Sequence, residues 1–239
     1  MAIALVGVGA AATAASATSV TATYSPTAGN TVVCSGTDTV TGGTGSWTPS
    51  SITNQKTDDD ATRHVHLDLG AVLSIGSGIT TVKYSNTVSG TLGIALQEYS
   101  GVTSFGTALS KNNISTASWT NTATSTTGAN SWIVGPFGGN ANVSFTPTGV
   151  TQFQVSAHIA ASSIGVLVAD SGNVAAAGTT IQLSITTGSN SSGWFDTMEM
   201  KALVGGIQLR MLVGVGLWLN LKIRLRMPLL RLFGRIEKE

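Results

Sequence analysis

Charge is scarce in this chain: Asp, Glu, Lys and Arg together make up 10% of its 239 residues. Solubility therefore rests on the hydroxyls and amides of a Gly-, Ser- and Thr-rich polar set, a usage that suits short strands joined by many turns. Cys34 is the single cysteine. This excludes an internal disulfide framework and reads as a small buried hydrophobe in a strand. No uncharged apolar run approaches the roughly 20 residues that a membrane helix needs; the longest, Met211–Leu221, has 11. No glycine loop of phosphate-binding form precedes a helix, and no Gly-x-Ser-x-Gly elbow occurs. The three histidines sit in strand-like patterns with no recognisable nucleophile. Asp68, Glu98 and Asp170 do not select themselves as a glycosidase pair. The expectation is a protein that is not an enzyme and carries no cofactor. Met1 to Ser16 is apolar and alanine-rich like a leader, but no Lys or Arg precedes it. It reads as a first strand, Ile3–Val8, and a small-residue linker, with a cleaved leader as the alternative.

What the chain does have is period-two patterning broken by turn chemistry. Strands are expected at Ser19–Tyr24, Thr31–Cys34, Arg63–Leu69, Ile79–Tyr84 and Thr91–Ser100. They are expected again at Ser131–Phe137, Asn142–Thr146, Gln152–Ile159, Ile164–Ala169, Thr179–Thr186 and Trp194–Met200. Ser85-Asn86, Ser89-Gly90, Gly138-Gly139-Asn140, Asp170-Ser171-Gly172-Asn173 and Gly188-Ser189-Asn190 read as the intervening turns. Residues 35–55 and 101–130 read as loop tracts, the second with one weak strand. Leu92, Ile94 and Leu96 in register mark Thr91–Ser100 as a central core strand. Many short strands without a convincing amphipathic helix argue an all-β protein, a β-sandwich of jelly-roll or Greek-key type.

Several of these segments carry a resemblance. The turn Pro-Thr-Ala-Gly-Asn before Thr31-Val32-Val33, the run Ala95–Val102, Trp132-Ile133-Val134-Gly135 and the strand Trp194–Met200 resemble a loose group of phage virion and bacterial surface β-sandwich proteins. The resemblance covers residues 1–201. It implies a structural role in a virion, or secretion to a cell surface, and brings no functional residue with it.

A boundary falls near Leu203–Gly206, dividing a body, 1–202, from a C-terminal β-strand arm or hairpin, 203–239. Every odd position from Ile207 to Met227 is apolar, while the even positions carry Gln208, Arg210, Asn220, Lys222, Arg224 and Arg226, the signature of a strand with one dry face. Extended, this segment would reach roughly 70 Å, against about 40 Å for the body, so it must fold back near Gly214-Val215-Gly216 or reach another subunit. Charge divides in the same way. Residues 1–200 hold four cations against nine acids, a net of −5, whereas 201–239 hold eight against two, a net of +6. An acidic body should attract a basic arm.

An open apolar strand face this long aggregates unless a partner covers it. The expected interface is Leu209, Met211, Val213, Leu217, Trp218, Leu219, Leu221, Ile223 and Leu225, flanked by Arg210, Arg224 and Arg226. The partner would be a second copy, in a homo-oligomer, or another virion protein. A hairpin packed on its own sandwich, barrel insertion and an accidental tail are alternatives. Sparse aromatic interleaving argues against a specific nucleic-acid groove, and membrane insertion is not expected. The rival reading is a glycan-binding or adhesive module. A last candidate lies in the body: His64, His66 and Asp68 on one strand face, the two histidines roughly 6–7 Å apart, could hold a divalent metal. Asp58-Asp59-Asp60 reads as a solvated turn.

Overall fold

The computed structural model describes residues 2–8, 11–40, 42–140, 146–147, 154–161 and 164–203. The chain divides into two units after Gly206, and the described residues all lie in the first. They form an all-β protein with no helix among them, so no described helix is long and apolar enough to cross a membrane.

Among the described residues seventeen strands follow in chain order. The first seven are β1 (Ala4–Val8), β2 (Ala12–Thr23), β3 (Thr31–Asp38), β4 (Gly45–Thr48), β5 (Thr53–Asp60), β6 (Val65–Val72) and β7 (Thr81–Ser100). They make one antiparallel sheet, in the order β1-β7-β3-β6-β5, with β2 and β4 also paired to β7. The others are β8 (Val102–Phe105), β9 (Asn112–Thr120), β10 (Thr124–Ser125), β11 (Trp132–Asn140), β12 (Thr146–Pro147), β13 (Gln154–Ala161), β14 (Ile164–Asp170), β15 (Thr180–Ile181), β16 (Ser184–Phe195) and β17 (Met198–Ala202). Here the order is β12-β16-β11-β14-β13, with β17 on β11 and β8, and β9 on β16; β10 and β15 pair separately.

The two sheets face each other as a β-sandwich. Val33, Leu69, Ala71, Ala95 and Tyr99 of the first sheet pack with Trp132, Val134, Val166, Val168, Met198 and Met200 of the second. Strands buried on both faces lose the clean alternation of a half-wet sheet. All eight residues of β3 are buried, because each sheet also has something packed on its outer face.

On the first sheet the cover is the beginning of its own longest strand. The expected turns at Ser85-Asn86 and Ser89-Gly90 do not break the chain, and β7 runs for 20 residues. Its start pairs with β4 and its end with β3. Val82 and Tyr84 from the start share one apolar cluster with Leu92, Ile94 and Leu96 from the end, so the strand doubles over the sheet it belongs to. Glycines mark the close approach: a Cβ on Gly36 would lie 2.5 Å from the Tyr84 ring, and one on Gly70 2.4 Å from Trp47. The tract 35–55, expected as loop, is thus half of β3, all of β4 and the start of β5. The small-residue linker after β1 likewise becomes β2, which pairs with β7 from Ala12 to Thr23 across two register shifts.

The second sheet is covered by aromatic residues. Trp119 of β9, inside the tract expected as loops, packs 4.5 Å from Phe137 by ring centroid, with Phe195, Leu167, Leu183 and Ile185 around them. Gly138-Gly139-Asn140, expected as a turn, is inside β11, and Gly188-Ser189-Asn190 lies inside β16, where the pairing with β9 shifts register. The expected strand Asn142–Thr146 lies outside the described residues but for Thr146.

Candidate functional site: a buried His–Asp network

Antiparallel register sets two polar rows across the outer face of the first sheet. One row is Asp59 (β5), His66 (β6), Asp38 (β3) and Leu92 (β7); the next is Thr57, Asp68, Gly36 and Ile94. Side chains two residues apart share a face, so period-two alternation brings His66 and Asp68 together as expected. Topology alone brings Asp38 and Asp59 beside them. The doubled start of β7 then lowers Tyr84 and Asn86 onto the rows, and β4 lays Gly45 over Asp68.

Asp68 is the hub. One carboxylate oxygen meets His66 Nε2 at 3.0 Å and accepts from the Tyr84 hydroxyl at 2.9 Å. The other accepts from Asn54 Nδ2 at 2.9 Å and from the Thr57 hydroxyl. Asp38 accepts from the Val40 amide at 3.0 Å and from Asn86 Nδ2. Asn54 also accepts from Trp47 Nε1, and Trp47 packs against Tyr84 at 5.0 Å. A fully buried carboxylate is tolerable only when its lone pairs are met and its charge is paired. Here four donors meet Asp68, and His66 supplies the cation.

Ionisation follows the packing. Burial by itself would lower the pKa of His66, but the hydrogen bond and charge of Asp68, with Asp38 and Asp59 adding theirs, turn the balance and raise it. Burial raises Asp38 despite the Val40 amide, His66 and Asn86. Burial, joined by the charges of Asp68 and Asp38, raises the Tyr84 phenol. The network therefore favours imidazolium between carboxylates.

The three residues expected to hold a metal are not brought together. His64 is not on the strand: it sits in the turn before β6 at φ 53°, with its side chain exposed. His66 and Asp68 bond each other directly, and Asp68 has no oxygen free of donors. Among the described residues no group of three or more His, Cys, Asp or Glu is placed to hold a metal ion. Asp58-Asp59-Asp60 is the end of β5 instead of a solvated turn. Asp59 faces the His66 row, its carboxylate 3.9 Å from His66 Nδ1, while Asp58 and Asp60 point to the second sheet and bond Ser110 and Asn112.

Chemically, a His–Asp dyad can act as a base. His66 is only 1% exposed, and its Nδ1 has no hydrogen-bond partner. No serine or cysteine stands on it among the described hydrogen bonds. A shallow cleft of about 290 Å³ is lined by Gly45, Ser46, Trp47, Ser50, Ile52, Thr53 and Asn54, of which Gly45 and Asn54 also border Asp68.

Three further carboxylates of the body are also struts. Glu98 accepts from the Tyr24 hydroxyl at 2.7 Å, the Thr27 amide at 3.0 Å and Asn30, pinning the turn before β3. Glu199 accepts from the Thr127 amide and hydroxyl, both at 2.8 Å, and from the Gly128 amide at 3.2 Å. Asp170 bonds the Gly172 amide at 2.9 Å and Tyr99 at 3.1 Å. Seven of the nine acids in residues 1–200 are buried: Asp38, Asp60, Asp68, Glu98, Asp170, Asp196 and Glu199. The acidic surface expected to attract the basic arm is therefore largely internal. No motif marks Tyr84, Asn86, Asp38 or Asn54. Their one signal is the glycines at 36, 43 and 45, each of which lies close against Tyr84, Asn86 or Asp68.

The expected interface, Leu209 to Arg226, lies outside the described residues. The chain matches no protein-family model, no curated protein and no solved structure.

Proposed function

We propose that the protein is a structural, assembly-type component of a viral particle, a phage capsid-decoration or tail-associated protein that works by docking and not by chemistry. The observation that carries the non-catalytic half is the placement of the acids. Seven of nine in the body are buried, and those with hydrogen bonds use them to hold turns and strands together. The docking half rests on the sequence of 207–227, where alternate Leu, Ile, Val and Met sit between arginines. Strand addition to a neighbour's sheet would supply main-chain hydrogen bonds, with the alternate apolar side chains filling a dry face. Since the body keeps few acids at its surface, the arginines would meet a partner's carboxylates.

The rival glycan-binding reading calls for aromatic rings exposed together at one end of the sandwich. Of the described tryptophans, Trp47, Trp119 and Trp132 are buried and Trp194 is half-buried, so support for a stacking platform is missing among them.

The test uses the full chain with Leu217→Asp and Leu219→Asp together. Loss of self-association or of particle binding, with the melting transition of the body unchanged, is expected. Unaltered association in that variant would reject docking through this segment.

A further inference from the structure

The seam between the two sheets holds one carboxyl group that no structural strut explains. Asp196, between β16 and β17, is 0% exposed. Its amide bonds the Pro136 carbonyl at 2.9 Å, which fixes the backbone. Counted as a carboxylate, its side chain has no donor at either oxygen. The backbone bridge between Leu109 and Thr197 sets Ser110 beside it, and Ser110 in turn is bonded to Asp58 of β5 in the other sheet, so these two side chains are the groups within reach. Ser110 gives its proton to Asp58, at 2.5 Å. Among the described residues the cation facing the pair is Lys56, whose Nζ lies 3.7 Å from an oxygen of Asp58. Asp58 therefore holds both the Ser110 donor and the closer cation, and Asp196 has no hydrogen bond to either of its oxygens.

A second bare charge enclosed here, beside the first, would be strongly unfavourable, because burial and like charge both disfavour ionisation. An acid in the same position has a partner at once, since its O–H can donate to the Asp58 carboxylate. We propose that Asp196 and Asp58 share a single proton across the seam, an acid–carboxylate clasp that joins the two sheets while the proton is present and loosens them when it leaves. Burial first, then the charge and hydrogen bond of Asp58, hold Asp196 well above the ordinary range, while Lys56 and Ser110 oppose this weakly.

The sign follows from linkage. The folded chain keeps a proton on Asp196 that the unfolded chain releases near pH 4. Stability therefore falls as pH rises above that value, by about tenfold in the folding equilibrium constant per pH unit, until the folded group itself ionises. Other groups share this direction. Asp170 is raised to about 6, so its contribution ends near that pH. His66 is also raised. Cys34 and the tyrosines act only where their unfolded forms ionise, above about pH 8.

The test is equilibrium denaturation of the full-length protein between pH 4.5 and 8, wild type against Asp196→Asn, in buffer with EDTA and again with millimolar calcium. Asn keeps the shape and can donate to Asp58 but cannot titrate. The wild-type equilibrium constant is expected to fall with pH more steeply than that of the variant, by up to about tenfold per unit while the folded group keeps its proton, in both buffers. Equal slopes would overturn the proposal. So would a wild-type slope abolished by calcium and restored by EDTA, which would make the pair a cation site. If Asp196→Asn does not fold, Asp58→Asn removes the negative partner; it must also shrink the slope, and an unchanged slope there overturns the proposal too.

Discussion

The two sheets of this sandwich solve one problem in two ways. Each has an outer face that must be covered. The second sheet covers it with Trp119, Phe137 and Phe195 stacked on Leu167 and Ile185. The first doubles its own strand and seals a charged layer beneath: Asp38, His66, Asp68, Tyr84 and Asn86. Both layers depend on glycine for close approach, Gly139 and Gly193 under Trp119, Gly36 and Gly70 under Tyr84 and Trp47. The difference is in how sharply each specifies its geometry. Apolar contact is non-directional, so an aromatic layer tolerates repacking. A buried carboxylate with four donors accepts one arrangement only, because each unmet group costs free energy. The polar layer thus fixes where the long β7 strand must bend, and the aromatic layer supplies cohesion.

The largest effects should come from removing the centre of each layer. Asp68→Ala leaves His66, Tyr84, Asn54 and Thr57 without their acceptor and should cost about 3–5 kcal/mol, as breaking a buried ion pair does. Trp119→Ala empties a large cavity and should cost a similar 3–5 kcal/mol. Denaturant titration measures both. The comparison sharpens on the conservative variants: Trp119→Phe should recover most of the loss, and Asp68→Asn should recover little, since an amide cannot accept from four donors. Equal recovery would erase the distinction.

A smaller effect comes from filling the glycine gaps. A Cβ at Gly45 would fall 1.5 Å from an oxygen of Asp68, and one at Gly193 2.4 Å from the backbone carbonyl of Gly138. Both alanine variants should lose about 1–3 kcal/mol by overpacking. Only Gly45→Ala should also change the titration of His66, which NMR of the imidazole would follow.

The smallest effect is in pH. His66 is raised in the folded state, so the stability from its imidazolium is fully present below its unfolded value near 6.5 and is lost as pH rises through the folded value. His66→Gln should flatten that part of the profile. Phe137→Leu in the other layer should shift the whole curve downward without changing its slope; a changed slope there would break the comparison.

Most of the fold was legible from alternation. Leu92, Ile94 and Leu96 identified the end of β7 as central, and Ile164–Ala169 and Ser131–Phe137 read correctly as strands. What failed did so for one physical reason. Gly, Ser and Asn serve as turn formers and also as the small residues that let one layer lie close on another. Gly90 sits where a Cβ would meet Val40 at 2.5 Å, and Asn86 bonds Asp38, so Ser85–Gly90 is a bend within a strand. Of the buried network, the period of two revealed His66 and Asp68 on one face. Asp38, Tyr84 and Asn54 join them through strand order and the doubling of β7, which no local pattern encodes.

The claim that this chain acts by docking is tested most directly by the native mass of the purified full-length protein. Discrete oligomers or particle-bound protein, converted to monomer by Leu217→Asp with Leu219→Asp, is the expected result. A monomer at all concentrations that binds no copy of itself and no particle would contradict it.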